Sequence, residues 1–316
     1  MIRFLKDWAL IIAIFAGIIG YIVYEYLPIF DFMRGYANDA VEVIQPLLIF
    51  SMLFLTFSKM DLHDLKLRKW HFWLLTFQTF LFIAIGIILI LMPQSGLRII
   101  LEGAMLCLIC PTATAAAVIT RKLGGNVSSI TMYTILVNIN VAVIIPIMVP
   151  LVHPQPGISV ITSGGLILAK VFPLLLLPLI ITLILRKYAF DFTAKVARFQ
   201  DLSFYIWIVA LALAMALTTR SILHSKIPMS TQLGLVAVFL FCCLIQFYIG
   251  RRIGRHYGEQ ITAGQSLGQK NTVLAIWMGY TFFTPVTAIA GGFYSIWHNL
   301  VNTYQLHHHR QPHSHE

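Results

Sequence analysis

One polar stretch in an otherwise apolar chain carries the residues best suited to bind a solute. It runs from Gly264 to Ala275 and reads GQSLGQKNTVLA, with two glycines, two glutamines, one asparagine and one lysine. A charge at the centre of a bilayer costs about 2.5–3.5 kcal/mol on insertion scales. Such a stretch is therefore tolerated at membrane depth only where it lines a protein-enclosed or water-filled cavity. We predict that it forms one half of a solute site.

A second interrupted stretch, Cys110 to Ala117 (CPTATAAA), is expected to form the other half. Pro111 lacks an amide proton and clashes with the preceding turn, so a helix breaks or kinks there. The small side chains that follow let another backbone approach closely. Paired interruptions in two halves of a membrane protein are the best sequence pointer to a transporter site. The alternative is that this run is only a packing face with a proline kink.

The composition indicates an all-α polytopic membrane protein. Of the 316 residues, 59% are hydrophobic and 11% are charged, against about 25% charged in soluble domains. The net charge of +10 is spread in small clusters between apolar runs, as in membrane-protein loops and not as on a nucleic-acid-binding surface. Arg3 and Lys6 before the first apolar run also fit a signal peptide. No small-residue cleavage site follows, so we expect an uncleaved first span.

Apolar runs long enough to cross a bilayer recur ten times along the chain. They fall at about 8–27, 40–58, 71–92, 99–120, 128–152, 163–185, 202–220, 232–250, 264–283 and 285–303. The sequence thus predicts ten transmembrane helices in a single transporter domain, with the two interruptions in the fourth and the ninth. Prolines at positions 146, 150, 173 and 178 are expected to kink the fifth and sixth.

The distribution of Lys and Arg predicts the orientation and an internal repeat. Sixteen of these residues fall on one side of the predicted spans and four on the other. Lys and Arg favour the cytoplasmic side, so both termini are expected in the cytoplasm, with the protein in the plasma (bacterial inner) membrane. Five spans followed by five then give two inverted repeats, about 1–153 and about 154–304, before a His-rich cytoplasmic tail at 305–316. The third span of each repeat carries one isolated glutamine, Gln78 or Gln246.

Lys270 is the strongest ionisable candidate at the depth of the site. Glu25, Glu42 and Glu102 lie towards span ends, and no Asp or Glu falls near the middle of a span. Gln269 and Asn271 flank the lysine and indicate a polar pocket. The alternative is that Lys270 snorkels to the membrane interface. Lys170, in the sixth span, is expected to snorkel or to pair between helices.

The two interrupted stretches resemble the bile acid:sodium symporter family, the sodium-dependent bile acid transporters. The family pattern Cys-Pro-Gly-Gly-Thr-Ala-Ser-Asn-Val is similar to Cys110–Val118, which reads CPTATAAAV. The pattern Glu-x-Gly-x-Gln-Asn-x-x-Leu-Ala is similar to Ser266–Ala275, which reads SLGQKNTVLA. The resemblance implies a panel-and-core fold in which broken helices four and nine cross in the core. It also implies uptake of an amphipathic organic anion.

The departures from the family pattern fall on its sodium ligands. Ala116 and Ala117 replace the Ser-Asn pair, Ser266 replaces the glutamate and Lys270 replaces the glutamine. Of the residues that the resemblance places at sodium, Gln78 remains, with Thr134 as a further candidate, alongside main-chain oxygens. An oxygen-poor cage that contains an ammonium repels a cation. We therefore expect that two sodium ions are not held, and that Lys270 supplies the positive charge instead.

The predicted site combines both interruptions with these positions. The residues expected to contact the solute are Thr112, Thr114, Ala116, Ala117, Gln269, Asn271 and Thr272. The residues expected to carry charge or coupling are Lys270, Gln78, Ser266 and Thr134. No catalytic residue, no metal ligand and no cofactor is predicted.

The expected function is secondary transport of a small organic anion, bile acid-like or another amphipathic carboxylate, by alternating access without coupling to two sodium ions. It would be a uniporter, an exchanger or a proton-linked carrier with Lys270 as the titrating group. The alternatives are a sodium-coupled organic anion symporter of the ordinary family type and a non-transporting membrane sensor or scaffold. The expected partners are the anion and the lipid bilayer, without nucleic acid, and the protein is expected to be a monomer.

Other classes of function have weaker support in the sequence. A channel needs a continuous polar face along several spans, and an intramembrane enzyme needs a base or metal beside Ser266. A zinc or redox role for Cys107 and Cys110 needs a second ligand pair, which is absent nearby. The tail histidines, His307–His309 with His313 and His315, either bind a metal or belong to a polar disordered tail.

Overall fold

The computed structural model describes residues 2–60, 64–199 and 202–310, and these fold into helices joined by short connections. The helices are α1 Ile2–Tyr26, α2 Arg34–Ser58, α3 Lys69–Leu91, α4 Arg98–Ile109, α5 Ala116–Lys122, α6 Val127–Val152, α7 Val160–Leu175, α8 Leu177–Tyr188, α9 Phe190–Arg198, α10 Leu202–His224, α11 Met229–Arg255, α12 Gln260–Gly268, α13 Thr272–Phe282 and α14 Pro285–Arg310. A 3-10 helix, Pro28–Met33, separates α1 from α2.

Several of these helices are long and apolar enough to cross a membrane. Five qualify by length and composition within the described residues: Asp39–Ser58, Lys69–Leu91, Val127–Val152, Leu202–His224 and Met229–Arg255. Two bent pairs raise the number to seven: Ile11–Tyr26 with Pro28–Ala37, bent by 94°, and Val160–Leu175 with Leu177–Tyr188, bent by 42°. The chain is therefore an all-α polytopic membrane protein. The arrangement of ten spans in two inverted repeats stays a prediction.

The prolines expected to kink the fifth and sixth spans act differently. Helix α6 runs without interruption through Pro146 and Pro150. The sixth predicted span does bend, at Leu176, between α7 and α8. Pro178 stands in the first turn of α8, where its missing amide proton leaves no hydrogen bond unmade.

The helices pack in two groups. One group contains α3, α4, α5, α6, α11, α12, α13 and α14, and the other contains α1, α2, α7, α8, α9 and α10. The groups meet mainly where α7 packs on α6, where α10 packs on α13 and α14, and where α2 packs on α13. The first group holds both interrupted helices, so it positions the predicted site.

Both interruptions follow from local chemistry. Helix α4 ends at Ile109, immediately before the Cys110-Pro111 pair, and α5 begins only at Ala116. Helix α12 ends at Gly268, and α13 begins at Thr272, where the side chain of Asn271 caps it by accepting a hydrogen bond from the amide of Leu274 at 3.2 Å. An asparagine in this position satisfies one of the amides that a helix start leaves unpaired.

Candidate solute site at the crossing of two broken helices

The two interrupted segments bind each other directly through their backbones. The amide of Ala113 donates to the carbonyl of Gln269 at 2.9 Å, and the amide of Asn271 donates to the carbonyl of Pro111 at 2.8 Å. These bonds make Thr112 and Lys270 an isolated antiparallel bridge. The break in each helix therefore satisfies part of the hydrogen-bonding capacity that the other break leaves open.

Two side chains strengthen the crossing. The hydroxyl of Thr112 donates to the carbonyl of Ser266 at 2.6 Å, and the thiol of Cys110 donates to the carbonyl of Asn271 at 2.8 Å. The carbonyl of Ser266 belongs to the last turn of α12, where helix geometry leaves carbonyls without an internal partner. Thr112 thus caps the other broken helix.

Lys270 places its ammonium at the centre of this crossing. The side chain is 1% exposed, and its Nζ donates to Oε1 of Gln78 at 2.7 Å and to the carbonyl of Leu108 at 3.1 Å. Leu108 lies in the last turn of α4, where the helix dipole favours a positive charge. The alternative that Lys270 snorkels to the membrane interface is wrong, because its ammonium is bound inside the protein.

Gln78 is held in the orientation that this contact needs. Its Nε2 donates to the carbonyl of Ile109 at 2.9 Å, so its Oε1 is turned towards Lys270. The glutamine comes from α3, and thus three helical segments meet at one ammonium. No acidic side chain among the described residues forms an ion pair with Lys270; neutral oxygens hold its charge.

The remaining predicted residues divide by exposure. Ala116 is fully buried, whereas Thr114 and Ala117 are half-buried on the open side of the break. Thr272 is buried in the first turn of α13. Thr134 lies in α6, where its hydroxyl donates to the carbonyl of Ile130 in its own helix at 2.9 Å. The structure therefore brings Lys270 and Gln78 together, but the described contacts of Thr134 do not reach them.

Three buried polar atoms at the crossing lack a hydrogen-bond partner within the described part of the chain. They are Oγ of Ser266, Oε1 of Gln269 and Nδ2 of Asn271. A buried unsatisfied polar group costs about 1–3 kcal/mol, and more than nine in ten such groups in folded proteins are satisfied. Together they offer acceptors and a donor to water or to a solute.

A second glutamine and a tyrosine complete the crossing, although the tyrosine was not predicted. Nε2 of Gln246, in α11, donates to the hydroxyl of Tyr294 at 2.9 Å and more weakly to the carbonyl of Cys107 at 3.4 Å. The tyrosine hydroxyl donates to the carbonyl of Gly268 at 2.8 Å, at the end of α12. The Gly291-Gly292 pair before Tyr294 is the sequence signal that α14 packs closely on α13. A Cβ on Gly291 would lie 2.9 Å from the carbonyl oxygen of Thr272.

A buried acidic cluster was also missed. Glu102 is 1% exposed, and its Oε1 contacts Nε of Arg98 at 2.8 Å and Nε2 of His153 at 2.7 Å. Its Oε2 accepts a hydrogen bond from the hydroxyl of Thr287 at 3.1 Å. The four-residue spacing of Arg98 and Glu102 on a helix is the sequence signal for this pair. The cluster ties the start of α4 to α6 and α14.

Metal chemistry has no support in the described part of the chain. Its His, Cys, Asp and Glu residues form no group of three or more that could hold an ion. All four cysteines are free thiols and are buried. Helix α14 continues through His307–His309 to Arg310, while His313 and His315 lie outside the described residues.

Two comparisons with known proteins find sequences similar to this chain. The SBF-like CPA transporter family (DUF4137) matches residues 15–296, which is most of the chain. A protein of Bacillus subtilis (strain 168), described as the uncharacterized sodium-dependent transporter YocS, is 23% identical over 205 residues. That match covers 63% of this chain and 60% of the relative, so the chain spans less than two thirds of the relative's length.

Proposed function

Since the chain belongs to the SBF-like CPA transporter family, and is thus a transporter and not an enzyme, we propose that it is a secondary carrier for a small organic anion. The carrier works by alternating access, and the ammonium of Lys270 takes the place of a bound sodium ion. The observation that carries the proposal is the contact of Nζ of Lys270 with Oε1 of Gln78 and with the carbonyl of Leu108.

This contact supports sodium independence because it uses the oxygens that a cation would need. Gln78 is the side chain that the resemblance places at sodium, and its Oε1 already accepts from Lys270 at 2.7 Å. A second unit charge 4 Å from the ammonium would be repelled by about 4 kcal/mol at an effective dielectric constant of 20. Ala116 and Ala117 offer no side-chain oxygen to offset that repulsion. Uniport, exchange and proton-linked transport remain as modes of action.

We also propose that the fold is ten transmembrane helices in two inverted five-helix repeats, with both termini in the cytoplasm and the protein in the bacterial inner membrane. The pairs α4–α5 and α12–α13 are then the broken fourth and ninth spans. The glutamines of α3 and α11 support the repeat. Gln78 donates to the carbonyl of Ile109 at the end of α4, and Gln246 reaches the carbonyl of Gly268 at the end of α12 through the hydroxyl of Tyr294. The two packing groups correspond to the core and panel that the resemblance implies.

The proposed anion binds beside the crossing. Thr112, Thr114, Ala116, Ala117, Gln269, Asn271 and Thr272 surround it, and Lys270 with Gln78 and Ser266 sets the charge of the site. The start of α13 is directed at this point, and a helix start favours an anion. The unpartnered Nδ2 of Asn271 adds a buried donor there. The protein acts as a monomer without a cofactor or a resident metal.

Sodium-coupled symport is the second candidate. The relative from Bacillus subtilis carries the description sodium-dependent, and main-chain oxygens of the two breaks remain available as ligands. The two candidates differ in what sodium does to the purified protein.

A thermal-shift screen distinguishes them. Organic carboxylates, starting with cholate, are added to the wild type and to Lys270→Ala in sodium or in choline buffer. We expect a carboxylate to raise the melting temperature of the wild type equally in both buffers. In Lys270→Ala, where the oxygen of Gln78 becomes free, sodium alone should add a shift. A sodium-induced shift of equal size in the wild type would support symport instead.

A further inference from the structure

The two short half-helices at the crossing differ in burial. Every residue from Thr272 to Gly279 in α13 is buried. By contrast, Thr114, just before α5, and Ala117, in its first turn, are half-buried, and Val118 in α5 is 56% exposed. Helix α13 packs against α2, α4, α10 and α14, whereas α5 packs mainly against α6 and α12. The crossing is therefore closed on the side of α13 and open on the side of α5.

The non-helical backbone of the break favours water over lipid on the open side. Residues 110–115 form non-helical backbone at the depth of the crossing. Such backbone is tolerated in a membrane only where it is buried in protein or lines an aqueous cavity. Thr114 lies at this break and is half-buried, and we take the space beside it to be an aqueous vestibule. In the proposed orientation, α5 runs from this vestibule's inner end towards the cytoplasm.

Two cations stand at the end of the same face. Arg121 and Lys122 form the last turn of α5, three and four residues after Val118, and both are exposed. Residues at this spacing lie on one side of a helix. Neither cation forms an ion pair within the described residues. Glu259, which precedes α12, instead accepts a hydrogen bond from the hydroxyl of Thr262 at 2.7 Å.

We propose that Arg121 and Lys122 form an anion-capturing pair at the cytoplasmic mouth of this vestibule. The pair attracts the carboxylate of the solute on its way to or from the crossing. The inference rests on the proposed function for the identity of the anion as an organic carboxylate. A guanidinium binds a carboxylate through two parallel hydrogen bonds, while an ammonium adds a compact point charge.

A general excess of cytoplasmic cations is the competing explanation, and the chain offers a matched control. Arg252 and Arg255, in the last turn of α11, are also exposed and lie on the same predicted side. They are as charged as Arg121 and Lys122 but do not follow an exposed face leading from the crossing. If only the overall surface potential matters, both pairs should act alike.

Charge-selective labelling tests the vestibule without knowledge of the solute. Val118→Cys is introduced, and inside-out vesicles are treated with an anionic reagent (sulfonatoethyl methanethiosulfonate) or a cationic one (trimethylammonioethyl methanethiosulfonate). The native thiols are buried, so the parent protein gives the background. We expect the anionic reagent to be favoured, and Arg121→Gln with Lys122→Gln to lower the anionic-to-cationic rate ratio about fivefold or more. Arg252→Gln with Arg255→Gln should leave the ratio unchanged.

Several outcomes would overturn the inference. The first is that Val118→Cys does not react. The second is that the anionic-to-cationic rate ratio stays the same when Arg121 and Lys122 are replaced. The third is that replacing Arg252 and Arg255 lowers this ratio equally. A neutral reagent, methyl methanethiosulfonate, must react at the same rate in every variant, which shows that the fold is kept. The single variants Arg121→Gln and Lys122→Gln, each with an intermediate ratio, are the reserve if the double variant does not fold.

A transport assay distinguishes a failure of this inference from a failure of the proposed function. With a carboxylate that the thermal-shift screen identifies, the loss of Arg121 and Lys122 should raise the half-saturating concentration at the cytoplasmic face about threefold or more and keep the maximal rate. If no carboxylate is transported by the wild type, the proposed function fails, while the labelling still tests the basic vestibule.

Discussion

At the scale of single residues, the protein is defined by a buried lysine whose hydrogen bonds, within the described residues, go to neutral oxygens. Lys270 was recognisable from the sequence because charge is expensive in an apolar span. Its partners were not recognisable as a set, because Leu108 contributes a main-chain carbonyl, which carries no sequence signal. Glu102 does lie near the start of α4, as predicted, but its burial was missed, because it depends on Arg98, on His153 after α6 and on Thr287 in α14.

Gln78→Leu should destabilise the protein, because it leaves the ammonium of Lys270 with one hydrogen bond and the carbonyl of Ile109 without its donor. Loss of partners for buried polar and charged groups predicts a cost of about 2–4 kcal/mol, measured by denaturation in detergent. Adding Lys270→Met should recover part of the loss. Gln232→Leu, which removes only bonds of 3.4–3.5 Å, is the control. If the two substitutions had additive effects on the free energy of unfolding, Gln78 and Lys270 would not interact.

Glu102→Gln should also destabilise the protein, because it removes the charge that Arg98 and His153 share. Breaking a buried pair costs about 3–5 kcal/mol. The partners here are about a quarter exposed, so we expect about 1–3 kcal/mol in the same denaturation measurement. The control is Glu25→Gln. The partner of Glu25, His224, is 55% exposed, so loss of this ion pair should cost less than about 1 kcal/mol. Equal costs would mean that the Glu102 cluster contributes no special stability.

At the scale of helices, the two breaks could be predicted from the residues and their crossing from the family resemblance, but the hydrogen bonds that join them could not. Pro111 ends one helix through its own chemistry, and the polar run after Gly264 marks the other. The sequence does not show that Ala113 bonds to Gln269 or that Asn271 bonds to Pro111, because these are backbone contacts between segments far apart in the chain. The bounds of α6 agree with the predicted fifth span, and the helix is continuous through Pro146 and Pro150; a kink at these prolines stays a prediction.

Gly291→Leu should separate α13 from α14. A Cβ at this position would lie 2.9 Å from both the amide nitrogen of Ile276 and the carbonyl oxygen of Thr272, and backbone atoms cannot move aside cheaply. Overpacking of this kind costs about 1–3 kcal/mol or more, so the melting temperature should fall. Gly165→Leu, in α7, is the matched control, since a Cβ there meets nothing within 4 Å. Similar melting temperatures would show that the close packing of α13 on α14 is not needed for stability.

At the scale of the whole molecule, α13 is buried while α5 has an exposed face, and the proposed function interprets this asymmetry as a carrier open towards one side. Composition was enough to predict a polytopic helical protein, because the apolar fraction and spacing of runs leave few other classes. Which side is open could not be predicted, since in the proposed alternating-access cycle the same sequence forms both states. In that proposal, the two packing groups provide the surfaces between which the movement would occur.

Two alanines test which side is open. Ala117→Cys, on the half-buried face of α5, should react with a neutral thiol reagent from the cytoplasmic side at least about tenfold faster than Ala275→Cys, which replaces a residue 2% exposed in α13. The rates are measured in inside-out vesicles, where thiol reactivity follows access to water. Faster labelling of Ala275→Cys from that side would mean that the open face belongs to α13.

The central claim is that Lys270 replaces a coupling sodium ion. Its most direct test is the initial rate of carboxylate uptake into proteoliposomes, measured with an inward sodium gradient and with choline in its place at the same membrane potential. The bound ammonium at Gln78 predicts rates that agree within about twofold. Uptake that rises steeply with the sodium gradient and nearly vanishes in choline would contradict the account.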